Sequence, residues 1–144
     1  MLIYTIGFTK KNAEQFFGLL GQPGLERVID IRLNNVSQLA GFTKKNDLKF
    51  FLRAIRGLDY VHATELAPTR EIMDGLKTDP ANREKYERQF HDLLAERKVE
   101  QTLDKKLLDG GCLLCSEAEP KQCHRSLVVE YLKMHWDGVE VSHL

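Results

Sequence analysis

A single-domain α/β fold in three layers, with a mostly parallel sheet of about five strands flanked by helices, follows from two features of the sequence. Five short apolar runs alternate with four longer stretches in which apolar residues recur at helical spacing. Parallel neighbours need a crossover of a dozen or more residues, and each longer stretch supplies one. The chain has 144 residues, 42% of them hydrophobic and 29% charged, which suits one domain over residues 1–144. A chain of this size buries roughly two thirds of its unfolded surface, so its core needs no staple.

Leu2 to Ile6 reads as the first strand, and Ala13, Phe16, Phe17 and Leu20 then place one apolar stripe on a helix. Val28 to Ile31 is the second strand. A connection from Leu33 to Lys45, carrying Asn34, Asn35, Ser37 and Gln38, leads to a second helical stripe at Leu48, Phe51, Leu52 and Ile55. Tyr60 to His62 is the third strand, and the connection from Ala63 to Asn82 holds Pro68, Thr69, Arg70 and a turn at Asp79-Pro80. Tyr86, Phe90, Leu93 and Leu94 mark the third helix, Cys112 to Cys115 the fourth strand, Leu127, Val128, Tyr131 and Leu132 the fourth helix, and Val139 to Val141 the last strand. Both long connections follow a strand and open onto the carboxyl edge of the sheet, where ligands bind in open parallel sheets.

One hexapeptide occurs twice. Gly7-Phe8-Thr9-Lys10-Lys11-Asn12 returns letter for letter as Gly41-Phe42-Thr43-Lys44-Lys45-Asn46, each followed at the same offset by a Phe pair, Phe16-Phe17 and Phe50-Phe51. With no third copy, a helical-repeat solenoid is not the reading. Each copy is expected to lead into a helix, capped by Asn12 or Asn46. The lysine pairs then stand at the positive end of the helix dipole. They are either exposed lysines tolerated there or, with the helix amides, a place for phosphate or carboxylate.

The balance of 21 Lys and Arg against 21 Asp and Glu excludes a globally basic nucleic-acid coat and an acidic tail, though not a local basic patch. Three cysteines within twelve residues do not form a secreted disulfide framework and suit a reducing cytosol. No run approaches the roughly 20 apolar residues of a membrane span, and no arginine-led apolar stretch opens the chain. A cytoplasmic location without membrane contact is the expectation.

Asp30 and Arg32, two apart at the end of the second strand, share a face. Arg32 can hold an anion through a bidentate fork, or the two form a structural ion pair. The densest cluster runs Cys112, Cys115, Ser116, Glu117, then Cys123-His124-Arg125 at the start of the last helix. Zinc on Cys112, Cys115, Cys123 and His124 is one reading, but residues three apart on a strand face opposite sides, so Cys112 and Cys115 cannot close a knuckle. In another, Arg125, a protonated His124 and the helix dipole acidify the Cys115 thiol, and Glu117 acts as acid or base. The simpler reading is that Cys115 and Cys123 are small buried core residues, as most free cysteines are. Arg125 is read as an anion ligand beside free helix amides. Tyr60, His62 and Glu65 bring another polar trio to the carboxyl edge, His143 ends the last strand, and Tyr4 reads as core; a structural role is the simpler reading for each histidine.

The set Tyr4-Thr5-Ile6-Gly7, Val28-Ile29-Asp30-Ile31-Arg32, Leu114-Cys115-Ser116-Glu117 and Cys123-His124-Arg125 resembles the family of small bacterial and archaeal proteins known as domain of unknown function 488, over Tyr4 to Leu144. The resemblance implies a compact α/β fold and a site built from these motifs, and it carries no established activity. Where many members have His-Ser after the first glycine this chain has Phe8-Thr9, where many have a proline after the strand arginine it has Asn34-Asn35, and where many have Leu-Gly-Gly it has Leu66-Ala67-Pro68. That pattern resembles a narrower subgroup with Gly-Phe-Thr after the first strand and implies a shifted ligand preference.

The site expected is a cleft at the strand carboxyl ends, with Arg32 and Arg125 on an anion, Thr9, Asn34, Cys123 and His124 contacting the ligand, and Glu117 and Cys115 as catalytic candidates. The function expected is binding, with or without processing, of a phosphate-bearing ligand, a nucleotide or a single nucleic-acid strand. A non-catalytic nucleic-acid or protein-binding module is the alternative, and structural zinc a third. No cofactor, reaction type or oligomeric state is legible, so whether the chain is an enzyme stays open at this point.

Overall fold

The computed structural model describes residues 1–36, 40–117 and 124–144. Five strands, β1 (Leu2–Gly7), β2 (Arg27–Asp30), β3 (Asp59–His62), β4 (Gly111–Cys115) and β5 (Glu140–His143), form one sheet in the order β3-β2-β4-β1-β5 with every pair parallel. All five predicted strands are present, with ends shifted by a residue or two.

The helices are α1 (Ala13–Leu19), α2 (Lys45–Phe51, continued by a π-helical turn over Leu52–Arg56), α3 (Arg70–Thr78), α4 (Arg83–Arg97), the single turns α5 (Val99–Thr102) and α6 (Lys105–Leu108), and α7 (His124–His135). The connection from Ala63 to Asn82, read as a loop, contains α3. Thr69 caps it by accepting from the Ile72 amide. Its apolar stripe of Ile72, Met73 and Leu76 is only half buried, which is why the pattern was faint. The turn at Asp79-Pro80 is there, closed by the Asp79 side chain on the Ala81 amide.

Alternation along each strand sorts the core into two layers. Tyr4, Ile6, Val28, Cys112 and Leu114 pack on one side against Phe16, Phe17 and Leu20 of the α1 segment and Leu48 and Leu52 of the α2 segment. Ile3, Ile29, Ile31, Leu113 and Cys115 pack on the other against Phe90 and Leu94 of α4 and Val128, Tyr131 and Leu132 of α7. Each such fully buried aliphatic or aromatic side chain contributes roughly 1.5–3 kcal/mol relative to exposure. Cys112 and Cys115 lie on opposite sides of the sheet, as the strand spacing requires.

This sidedness positions the site. The chain leaves β1 and β2 towards the α1–α2 layer, and leaves β3 and β4 towards the α3–α7 layer. Adjacent strands β2 and β4 therefore send their loops to opposite faces, the arrangement beside which open parallel sheets bind ligands at their carboxyl ends.

Candidate functional site

At the end of β2, Asp30 is fully buried and its carboxylate accepts four hydrogen bonds: from the Arg32 amide (3.1 Å), Arg32 Nε and Nη2 (2.8 Å each) and the Tyr60 hydroxyl (2.6 Å). Arg32, 4% exposed, also donates from Nη2 to the Thr43 carbonyl at 2.7 Å and lies 5.4 Å from the Phe8 ring centre. The fork that sequence reading offered to a ligand is thus closed on Asp30, the structural alternative of that reading. Removing one member of such a buried pair costs about 3–5 kcal/mol because the other charge is stranded. Burial, and then the neighbouring Asp30, push the Tyr60 phenol well above its usual range.

Asn35 joins this network and sequence reading passed it over in favour of Asn34. Asn35, 7% exposed, donates from Nδ2 to the Tyr60 hydroxyl and to His62 Nδ1, both at 3.2 Å, while its carbonyl accepts from the Lys45 amide. His62 Nε2 lies 2.8 Å from the Arg32 carbonyl, which can only accept, so Nε2 is the donor of that bond. Asn34 is exposed and its Oδ1 accepts from the Val36 amide, closing a local turn.

The β4 side is held by different groups. Arg125 is fully buried in the first turn of α7, with Nη1 donating to the Glu117 carbonyl at 2.5 Å and 3.5 Å from Cys115 Sγ. Gly7 makes this approach possible: a Cβ there would sit 1.6 Å from the Glu117 carbonyl oxygen and 2.5 Å from Arg125 Nη1. Thr9 donates from its amide (3.0 Å) and its hydroxyl (2.5 Å) to the Ser116 carbonyl, so the loops after β1 and β4 are tied together.

His124 lies against the Phe90 ring and is 2.7 Å through Nε2 from the Ile31 carbonyl, so its proton is on Nε2. Burial lowers its pKa to about 4 despite that carbonyl. His124 is therefore neutral at pH 7, which corrects the expectation that a protonated His124 acidifies a thiol. Cys115 is fully buried and disulfide-bonded, so it presents no thiol here, and Cys123 lies outside the described residues. Burial pushes the Cys112 thiol far up on the other side of the sheet. Thr5, fully buried, places Oγ1 2.6 Å from His143 Nδ1, and burial followed by the Arg125 charge lowers the His143 pKa. Tyr4 donates to the Pro23 carbonyl from within the core, as its strand position indicated.

One cluster thus gathers the motifs of β1, β2, β4 and α7. Its buried members, Asp30, Arg32, Asn35, His124 and Arg125, brace the strand ends. Its outward members are Thr9, Lys10, Asn34 and Glu117, with Lys10 exposed at a positive φ of 63°. Both lysine pairs do stand at helix starts, before α1 and at the first residues of α2. The second copy of the hexapeptide departs from expectation: Gly41–Thr43 forms a 3-10 turn, Lys44 takes the cap position of α2 without a side-chain bond, and Asn46 falls inside the helix. Asn12 does cap α1, in a reciprocal pair with Gln15.

No helix among the described residues is long and apolar enough to cross a membrane. A search of curated proteins and of solved structures returns no significant match. The model of the domain of unknown function DUF488 matches residues 12–132, a narrower span than the motif resemblance, and the chain belongs to that family.

Proposed function

We propose that this protein binds a phosphate-bearing ligand, a nucleotide or a single nucleic-acid strand, at the carboxyl ends of β1, β2 and β4, with Glu117 the group that takes part in any chemistry. The observation that carries this reading is that the loops after β2 and β4 leave to opposite faces, with the Thr9 hydroxyl oxygen, the exposed Lys10 ammonium, the exposed Asn34 amide and the exposed Glu117 carboxylate on the segments that follow β1, β2 and β4. Arg32, paired with Asp30, and Arg125, bonded to the Glu117 carbonyl, act here as braces behind those segments. The non-catalytic module remains the second reading, favoured by the disulfide at Cys115, which leaves Glu117 as the catalytic candidate among the described residues.

Thermal unfolding against nucleotides, short single-stranded DNA and RNA, and inorganic phosphate tests this. One phosphate-bearing class raises the melting temperature by several degrees at saturation, an effect reduced in Lys10→Ala/Lys11→Ala. An enzyme loses turnover in Glu117→Gln with that shift retained, whereas a binding module has no turnover to lose and keeps the shift. Absence of any shift with phosphate compounds at millimolar concentration rejects the phosphate reading.

A further inference from the structure

Away from the carboxyl ends of β2 and β4, and independently of the ligand proposed for them, the β3 edge of the sheet combines three features. β3 pairs with β2 on one side only. The Asp59 and Ala63 amides point to β2, donating to the Glu26 and Asp30 carbonyls. By the alternation of a parallel ladder, the backbone N–H and C=O of Tyr60 and His62 point outward, and neither residue's backbone bonds to another described residue on that side. A groove of about 600 Å³ lies between this edge and α2, with Leu58, Tyr60 and Val61 on the strand side and Lys49, Phe50 and Arg53 on the helix side. Exposed apolar surface is present here too: Phe50, which lines the groove, is 65% exposed.

Charge decides what fits. The groove is lined by the cations Lys49 and Arg53 and by the acid Asp59, which is paired with Arg53, and the stretch from Lys45 to Arg56 carries four cations and one acid. A second copy paired edge to edge would bring two such helices together, with like charges opposed. An extended acidic segment meets the same wall favourably.

We propose that the β3 edge and the α2 groove bind an extended peptide segment of a partner protein, alternating apolar and acidic residues, which adds a strand to the sheet. Backbone groups pair with Tyr60 and His62, apolar side chains enter the groove beside Phe50, and acidic side chains face Lys49 and Arg53, the latter shared with Asp59.

The probe is a fluorescein-labelled synthetic peptide alternating valine and glutamate. Saturable binding by anisotropy is expected, about tenfold weaker with lysine in place of glutamate, lost when alternate backbone nitrogens are methylated, and weakened about tenfold in Phe50→Ser but unchanged in Met134→Ser on α7. Hydrogen exchange of the Tyr60 and His62 amides slows on binding, a readout that a merely apolar docking does not give. The proposal falls if the glutamate peptide does not bind at about 1 mM, or if the N-methylated peptide binds equally. It also falls if the chain dimerises through Phe50 in sedimentation, or if oligo(dT) occupies the groove in a Phe50-dependent way.

Discussion

The two copies of Gly-Phe-Thr-Lys-Lys-Asn share every letter and almost no structure. In the first, Gly7 ends a buried strand under the Glu117 carbonyl, Phe8 is 4% exposed beneath the Arg32 guanidinium, Thr9 reaches across the fold to Ser116, and Asn12 caps α1. In the second, Gly41 opens a 3-10 turn with free space around its Cα, Phe42 is half buried against Phe16 and Phe17, Thr43 bonds locally to the Ala40 carbonyl, and Asn46 lies within α2. Arg32 touches both, the ring of Phe8 and the carbonyl of Thr43. Identical local preferences thus yield different conformations, because the first copy continues a central strand and the second follows an edge-side loop. The glycine is indispensable only where a neighbouring backbone occupies the space of a Cβ.

The largest effect that sharpens this contrast is at the glycines. Gly7→Ala forces the β4–α7 connection away and is expected to destabilise by more than about 4 kcal/mol, or to prevent folding, whereas Gly41→Ala stays within about 0.5 kcal/mol. Denaturant melts of the two variants measure both, and equal effects would break the comparison. Next come the phenylalanines. Phe8→Ala should cost about 3–5 kcal/mol, and Phe42→Ala about half of that because it is already partly wet.

Acid acts on neither copy directly but at the end of β2 between them, through His124, which bonds to the Ile31 carbonyl. Its folded pKa of about 4 lies below the ordinary 6.5. The unfolded chain therefore takes up the proton first. Its neutral form contributes fully above about pH 6.5, and stability falls as pH drops from there through about 4, by roughly 3 kcal/mol in all. His124→Gln, compared with the parent protein in melts at pH 7 and pH 4, should flatten that slope, and a parallel pair of curves would remove His124 as the cause. The smallest effect is at the caps. Asn12→Ala costs about 1 kcal/mol through loss of the reciprocal pair with Gln15, while Asn46→Ala is neutral or slightly stabilising because alanine is the better helix former. Urea midpoints resolve the difference.

Much of the architecture was legible. The five strands and the α1, α2, α4 and α7 helices were visible because each has a strong apolar period, as at Phe16-Phe17-Leu20 or Leu127-Val128-Tyr131-Leu132. α3 was not, since its three apolar residues are diluted by Arg70, Glu71, Asp74 and Thr78 and none is fully buried. Of the candidate site, the motif residues were visible in the sequence but their partners were not. Arg32 was visible as an arginine at a strand end, yet whether its fork faces Asp30 or solvent depends on Tyr60 from β3 and Thr43 from the 3-10 turn closing around it. Asn35 had no signal that distinguishes it from Asn34, since their order in the loop says nothing of which one turns inward.

The sequence by itself determined the α/β class, the strand count, the opposite facing of Cys112 and Cys115, and the family, because periodicity and motif spacing are local properties of the chain. The tertiary structure alone decided which strands are neighbours, that the loops after β2 and β4 leave to opposite faces, that Arg32 and Arg125 are braces, and that β3 is an edge. Those outcomes rest on contacts between residues as far apart as Gly7 and Glu117 or Ile31 and His124. The energy of a buried charge or a close backbone approach is set by whatever the fold brings beside it, and that neighbour is not written next to it in the chain.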